Sequence, residues 1–166
     1  MGGAEVRLLA IDPGTTESAY VVIDEECSPM IFGKIDNATL RTKIVRGYDE
    51  IEADRVVIEM VASYGMAVGA DVFETCVWVG RFAEAVRASW WPHTEPKLIT
   101  RNPIKLHHCR SGRANDSNIT QALVDRFAPG QRNHGKGTKD EPGWFYGFKK
   151  DIWQAYALAV YAADVA

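Results

Sequence analysis

The chain is poor in several features that small specialised domains depend on. Cysteine is sparse: Cys27, Cys76 and Cys109 form an odd, widely scattered set. That excludes a disulfide framework and predicts free thiols in a reducing cytoplasm. The segment His107-His108-Cys109 has no paired C-x-x-C or H-x-x-x-H to complete a structural zinc site. No apolar run approaches the ~20 residues of a membrane-spanning helix, so no membrane partner is expected. The start, MGGAEV, has no basic stretch followed by an apolar one, and it lacks the Ser or Thr that myristoylation wants after Gly2. Positive charge is not in excess either. With a formal net charge of -3, any attraction to a polyanion must come from a local patch.

What remains is the balance of a soluble globular protein, 46% hydrophobic and 25% charged over 166 residues. That length suits one domain, residues 1–166, with material for a real core, and no internal repeat or boundary interrupts it.

The most informative stretch is Leu8 to Tyr20, LLAIDPGTTESAY. An apolar run ends in Asp12, and Pro13-Gly14 breaks the strand at once. A carboxylate at the end of a buried strand, beside a tight turn, is a rigid mounting for a divalent ion or a phosphate-binding turn. Asp-Pro-Gly also suits an ordinary hairpin turn, so this stretch alone leaves both readings open.

Three strands are predicted first, Glu5 to Asp12, Ala19 to Asp24 and Met30 to Ile35, joined by short turns as in an antiparallel meander. A helix capped by Asn37 or Thr39 runs to about Ile51, with Leu40, Ile44 and Tyr48 at helical spacing. Asp54 to Met60 is a strand whose triplet Val56, Val57, Ile58 fits burial on both faces, and Glu59 ends it. Asp71 to Ser89 is the longest helix, with an inner stripe of Val72, Cys76, Val79, Ala83 and Val86, and with Phe73, Val77 and Gly80 beside it. Trp90-Trp91 closes its end against the core. Lys97 to Thr100 is a short strand, and Asn102-Pro103 opens a brief helix. Arg113 to Phe127 is an amphipathic helix capped near Ser117 or Asp116. Pro129 to Phe148 reads as a mobile loop, and Lys150 to Asp164 as an alanine-rich helix suited to close packing on a sheet. This order predicts an α/β fold, a mixed sheet with an antiparallel meander and then parallel strands, flanked by helices in the RNase H-like manner.

Asp12 and Glu59 both end buried strands, and Asp151 lies in the first turn of the last helix. Three acids converging on one sheet edge repel one another, a divalent cation relieves that repulsion, and oxygen-only ligands suit Mg2+, with Mn2+ able to substitute.

These residues resemble a known family. IDPGTT is similar to the first phosphate loop of the actin, hexokinase and heat-shock-chaperone ATPases. It also resembles the first catalytic strand of RuvC-type Holliday-junction resolvases. The ATPase fold traps nucleotide between two lobes, and neither a second lobe nor a second Gly-rich loop is present here. VVIEM resembles the second catalytic strand of the RuvC type, GRANDSNITQALVDRF its helix entry, and KDIWQAYALAVYA its terminal catalytic helix. Four short motifs in the right order cover most of the chain, and they look closest to a phage-type branch.

The resemblance implies a crossover junction endodeoxyribonuclease. It would cleave four-way DNA junctions by two-metal phosphodiester hydrolysis, with Asp12 between the ions, and leave 5′-phosphates. It places Asp12, Glu59 and Asp151 as catalytic, metal-binding acids. The fourth acid position falls on Gln154, a departure that leaves open whether three carboxylates suffice or Asp140 or Glu141 assists. An aromatic near the second acid implies that Tyr64 stacks on an unpaired base. Positive charge gathers late in the chain, so Lys105, Arg110, Arg113, Lys136 and Lys139 are the expected phosphate contacts. Two symmetrical cuts need two active sites, so a homodimer through the Asp71 to Ser89 helix is expected, as the resemblance also implies. The alternative is a catalytically weak, structure-selective DNA-binding protein of the same fold.

Overall fold

A computed structural model describes residues 5–166, so the first four residues of the MGGAEV start lie outside the described residues. The sheet is built by β1 (Leu8–Asp12), β2 (Glu17–Ile23), β3 (Pro29–Asp36), β4 (Arg55–Met60) and β5 (Lys97–Thr100) in the order β3-β2-β1-β4-β5. β1, β2 and β3 pair antiparallel, while β4 and β5 add in parallel to β1. The helices are α1 (Asn37–Arg46), α2 (Ala70–Arg87), α3 (Arg101–Cys109), α4 (Asp116–Phe127) and α5 (Asp151–Asp164). No helix among the described residues is long and apolar enough to cross a membrane.

Alternation along the strands assigns each residue to one of two cores. Leu9, Ile11, Val56 and Ile58 pack with Phe82 and Val86 of α2 and Leu40 and Ile44 of α1. Leu8, Ala10, Ala19 and Val57 pack with Tyr156, Ala157 and Val160 of α5 and with Ile119 and Leu123 of α4. The alanines of α5 let its backbone approach the sheet, and the helix is buried along nearly its whole length.

Several boundaries differ from the sequence reading, each for a local reason. β1 starts at Leu8, because the Val6 and Arg7 amides donate to the carboxylates of Glu25 and Asp54. Asp36, not Asn37 or Thr39, caps α1 by accepting from the Thr39 amide at 3.1 Å. Asn37 is buried instead and bonds the turn after β1. α1 stops at Gly47, whose φ of 69° suits a residue without a Cβ, and this leaves Tyr48 exposed. Asn115 caps α4 through a reciprocal pair of bonds with Asn118, in place of Ser117 or Asp116. Trp91 is buried and donates to the Ile44 carbonyl at 2.7 Å, whereas Trp90 is exposed beneath Arg46.

The segment 129–148 has no helix or strand, yet it is anchored. Phe145 and Phe148 are fully buried, and Trp144 stacks on Phe127 at 5.4 Å. A bridge between Gly137 and Pro142 closes its tip. Single aromatic anchors hold it, so it lacks the periodicity that marks a regular element.

Candidate functional site

Parity places the acids. Asp12 follows Ala10 and Glu59 follows Val57, so both point to the α5 face. In the β1–β4 register Ile11 lies opposite Ile58, and the next step sets Asp12 beside Glu59. Lys34, Ala19 and Asp12 align across β3, β2 and β1, and Glu59 and Ile99 align across β4 and β5. A single transverse row therefore runs Lys34, Ala19, Asp12, Glu59, Ile99. α5 crosses above it with Asp151 and Gln154 in its first turn, Gln154 being buried.

The turn after Asp12 is held by side chains. The Gly14 amide donates to Ser18 Oγ (3.1 Å), Ser18 Oγ donates to Asn37 Oδ1 (2.5 Å), and Asn37 Nδ2 donates to the Gly14 carbonyl (3.0 Å). A Cβ at Gly14 would stand 2.3 Å from the Glu17 carbonyl, so this close approach requires glycine.

Electrostatically the site is divided. Burial, then the neighbouring Glu59 carboxylate, push the Asp12 carboxyl well above its ordinary range, and the two carboxyl groups lie in hydrogen-bonding contact. Asp151 accepts from Lys34 Nζ at 2.6 Å. Arg101, the first residue of α3, donates from Nη1 to Glu59 Oε1 (3.2 Å) and from Nη2 to Gln154 Oε1 (2.7 Å) and to Asp116. Burial opposes its charge, but Glu59 and Asp116 hold the guanidinium protonated. Asp12, Pro13, Glu59, Met60, Tyr64, Arg101 and Lys105 line a cleft of about 330 Å³, with Tyr64 exposed at its mouth.

The donors fit a hard divalent ion: all are oxygens, and the Asp12 and Glu59 carboxyl groups lie close enough for the Asp12 pKa to be raised, a repulsion that a divalent ion between them would relieve. Asp12 and Glu59 sit in the cleft. Asp151 lies near Asp12 but is paired with Lys34, and Gln154 is held by the cleft residue Arg101. Among the described residues Asp12, Glu59 and Asp151 do not all come within 4.8 Å of one another. Among the described residues, three acids converge within 4.8 Å of one another at Glu5, Asp24 and Glu26, at the opposite end of the sheet. There Asp24 is already occupied in bonding the amides of Glu26 and Ser28.

Tyr64 and Lys105 share the cleft with Asp12, whereas the other expected DNA contacts lie apart. Arg113 lines a separate hollow between α3 and α4, Arg110 is exposed at the end of α3, and Lys136 and Lys139 lie on the 129–148 segment. Glu141 lines a hollow of its own in that segment, and neighbouring Asp140 is exposed. His107 and His108 turn to α5, bonding Asp164 Oδ2 (2.7 Å) and the Ala157 carbonyl (2.8 Å). Sequence reasoning singled out neither Arg101 nor Lys34. The one available signal was that Arg101 directly follows the strand that neighbours Glu59.

A mixed five-stranded sheet of this order, flanked by helices, is the RNase H-like α/β fold. Two solved structures with this fold are similar over almost the whole chain. The Thermus thermophilus RuvC structure matches with a TM-score of 0.65 and 13% identity, covering 96% of this chain and 95% of that one. T. thermophilus RuvC in complex with Holliday junction substrate matches with a TM-score of 0.64 and 12% identity, covering 95% and 93%. No protein-family model and no curated protein sequence matches the chain.

Proposed function

We propose that this chain is a divalent-metal-dependent, structure-selective endonuclease that resolves four-way DNA junctions, a RuvC-type enzyme of a phage-type branch. The observation that carries the reading is the meeting of Asp12 and Glu59 on one sheet edge under the first turn of α5. A divalent ion bound by these carboxylates supplies phosphate charge neutralisation and an acidified water. Asp12 and Glu59 would hold that ion from rigid strands, and Asp151 would close the site from α5. Lys105 faces the phosphate backbone, and Tyr64 stacks on a base at the branch point. The water oxygen attacks phosphorus and the P–O3′ bond breaks. The products are a 5′-phosphate and a 3′-hydroxyl once the leaving oxygen takes up a proton. Hydrolysis at two ions is the form the resemblance implies, while Gln154, an uncharged fourth donor, favours fewer.

Two cuts of opposite strands call for two copies of this 166-residue unit. Phe73 and Val77 on the outer face of α2 are exposed, and Gly80 has open space above it, which suits close approach of a second α2. Cleavage of a labelled four-way junction, a fork, a flap and a linear duplex in Mg2+ or Mn2+ tests the reading. Symmetrical cuts in the junction, with 5′-phosphate ends, are expected. A protein that binds the junction but cuts none of the four would favour a weak structure-selective binder, a reading that Arg101 on Glu59 and Gln154 also supports.

A further inference from the structure

Arg101 does more than neutralise a surface. Its guanidinium ties β4 to the first turn of α5, donating to Glu59 Oε1 on the strand and to Gln154 Oε1 on the helix. Gln154 brings an oxygen without charge, and that oxygen is already engaged by Arg101 Nη2. Nη1 and Nη2 make three contacts, so two of the five guanidinium N–H groups have no partner among the described residues, and the residue faces the cleft. The charge balance points the same way. Asp12, Glu59, Asp116 and Asp151 carry four negative charges when ionised, and Lys34, Arg101 and Lys105 three positive. One divalent ion brings that set close to neutrality, where two would leave it strongly positive.

Resting on the metal-nuclease reading above, we infer that Arg101 takes the place of a second cation, so that the site binds one divalent ion per chain. The guanidinium is the fixed positive group facing a non-bridging oxygen of the scissile phosphate. Its planar fork suits that role, because Glu59, Gln154 and Asp116 hold it in place while, among the described residues, the Nε–H and one Nη1–H remain free to donate. Gln154 is then a positioning residue: it aims Arg101 and leaves the ion to the carboxylates of Asp12, Glu59 and Asp151.

The test is a count of bound Mn2+ on the full chain without DNA, by equilibrium dialysis read with electron paramagnetic resonance. One ion per chain is expected for the wild type. Arg101→Gln removes a positive charge beside the ion and should tighten Mn2+ roughly tenfold. Arg101→Lys keeps the charge and should leave affinity near wild type. A merely structural tie between β4 and α5 would move affinity the other way, so weaker Mn2+ binding by a folded Arg101→Gln protein overturns the assignment. Two ions on the wild type overturn it while leaving the nuclease reading intact. No ion at all overturns both. The wild-type count needs no variant, so it decides the question even if Arg101→Gln does not fold.

Discussion

The two faces of the sheet are written by alternate residues of the same strands, and they end differently. On the α1/α2 face the apolar sequence Leu9, Ile11, then Val56, Ile58, continues to the strand ends and meets Phe82 and Leu40. On the α5 face the sequence Leu8, Ala10, then Val57, gives way at the next position to Asp12 and Glu59. One face is all packing. The other uses the same packing as a base on which charges are held near one another. The stability of the first face therefore should not depend on the chemistry of the second, and each can be broken alone.

The largest effect is expected on the acidic face. Asp12→Asn should lower junction cleavage by on the order of 10³-fold while junction binding survives or tightens, as a gel assay with Mg2+ would show. It should not lower stability. A carboxyl raised above its ordinary value binds its proton more tightly in the folded state. Stability is therefore lost as pH rises from about 4 through the raised value, and an amide removes that loss. A melt at pH 7 checks this. The apolar face should behave in the opposite way. Phe82 is fully buried and packs on Trp78 at 5.5 Å, so Phe82→Ala should cost about 3–5 kcal/mol in urea unfolding and leave the Asp12 cleft chemistry intact where the protein remains folded.

Val77→Arg tests the outer side of the same helix. Val77 is half exposed, so the protomer should change by no more than about 0.5 kcal/mol. The proposed dimer should lose several kcal/mol and sediment as a monomer that nicks instead of resolving. The smallest effect concerns Asp164, at the far end of α5. The Arg126 guanidinium holds its carboxyl down at about 2, with His107 assisting. A depressed acid stabilises above its unfolded value, and that contribution disappears as pH falls from about 4 through about 2. Asp164→Asn should therefore cost on the order of 1 kcal/mol at pH 7, allowing for solvent screening of the pair, and almost nothing near pH 2.

Much of the acidic face was legible in the sequence. Asp12, Glu59 and Asp151 each sit at the end of an element whose apolar pattern is clear, and the period of two in the strands fixes which way they point. The pattern fails where contacts come from distant single side chains. Arg101 reaches Glu59, Asp116 and Gln154, separated from it by 42, 15 and 53 residues, and no local periodicity announces such a meeting. Segment 129–148 was misread as mobile for the same reason, since Phe145 and Phe148 are isolated anchors in a polar stretch. The helix caps slipped by one because Asp36 and Asn37 are both good capping residues, and only the buried demands of Gly14 and Ser18 decide which one is free to cap.

That last detail governs how the acidic edge meets a ligand. The turn behind Asp12 is closed by Asn37, Ser18 and Gly14, with the Asn37 amide also donating to the Thr16 carbonyl at 2.9 Å. These bonds lie within the chain itself, so the turn that carries the first acid is braced by its own side chains. On the junction-resolving reading, recognition then costs no ordering of the loop, and the energy of contact with a bent DNA branch is left for distorting the DNA rather than the protein. On this account the protein is the stiff half of the encounter and the nucleic acid the compliant one. Selection among DNA shapes becomes a question of how easily each one deforms to fit an unyielding edge.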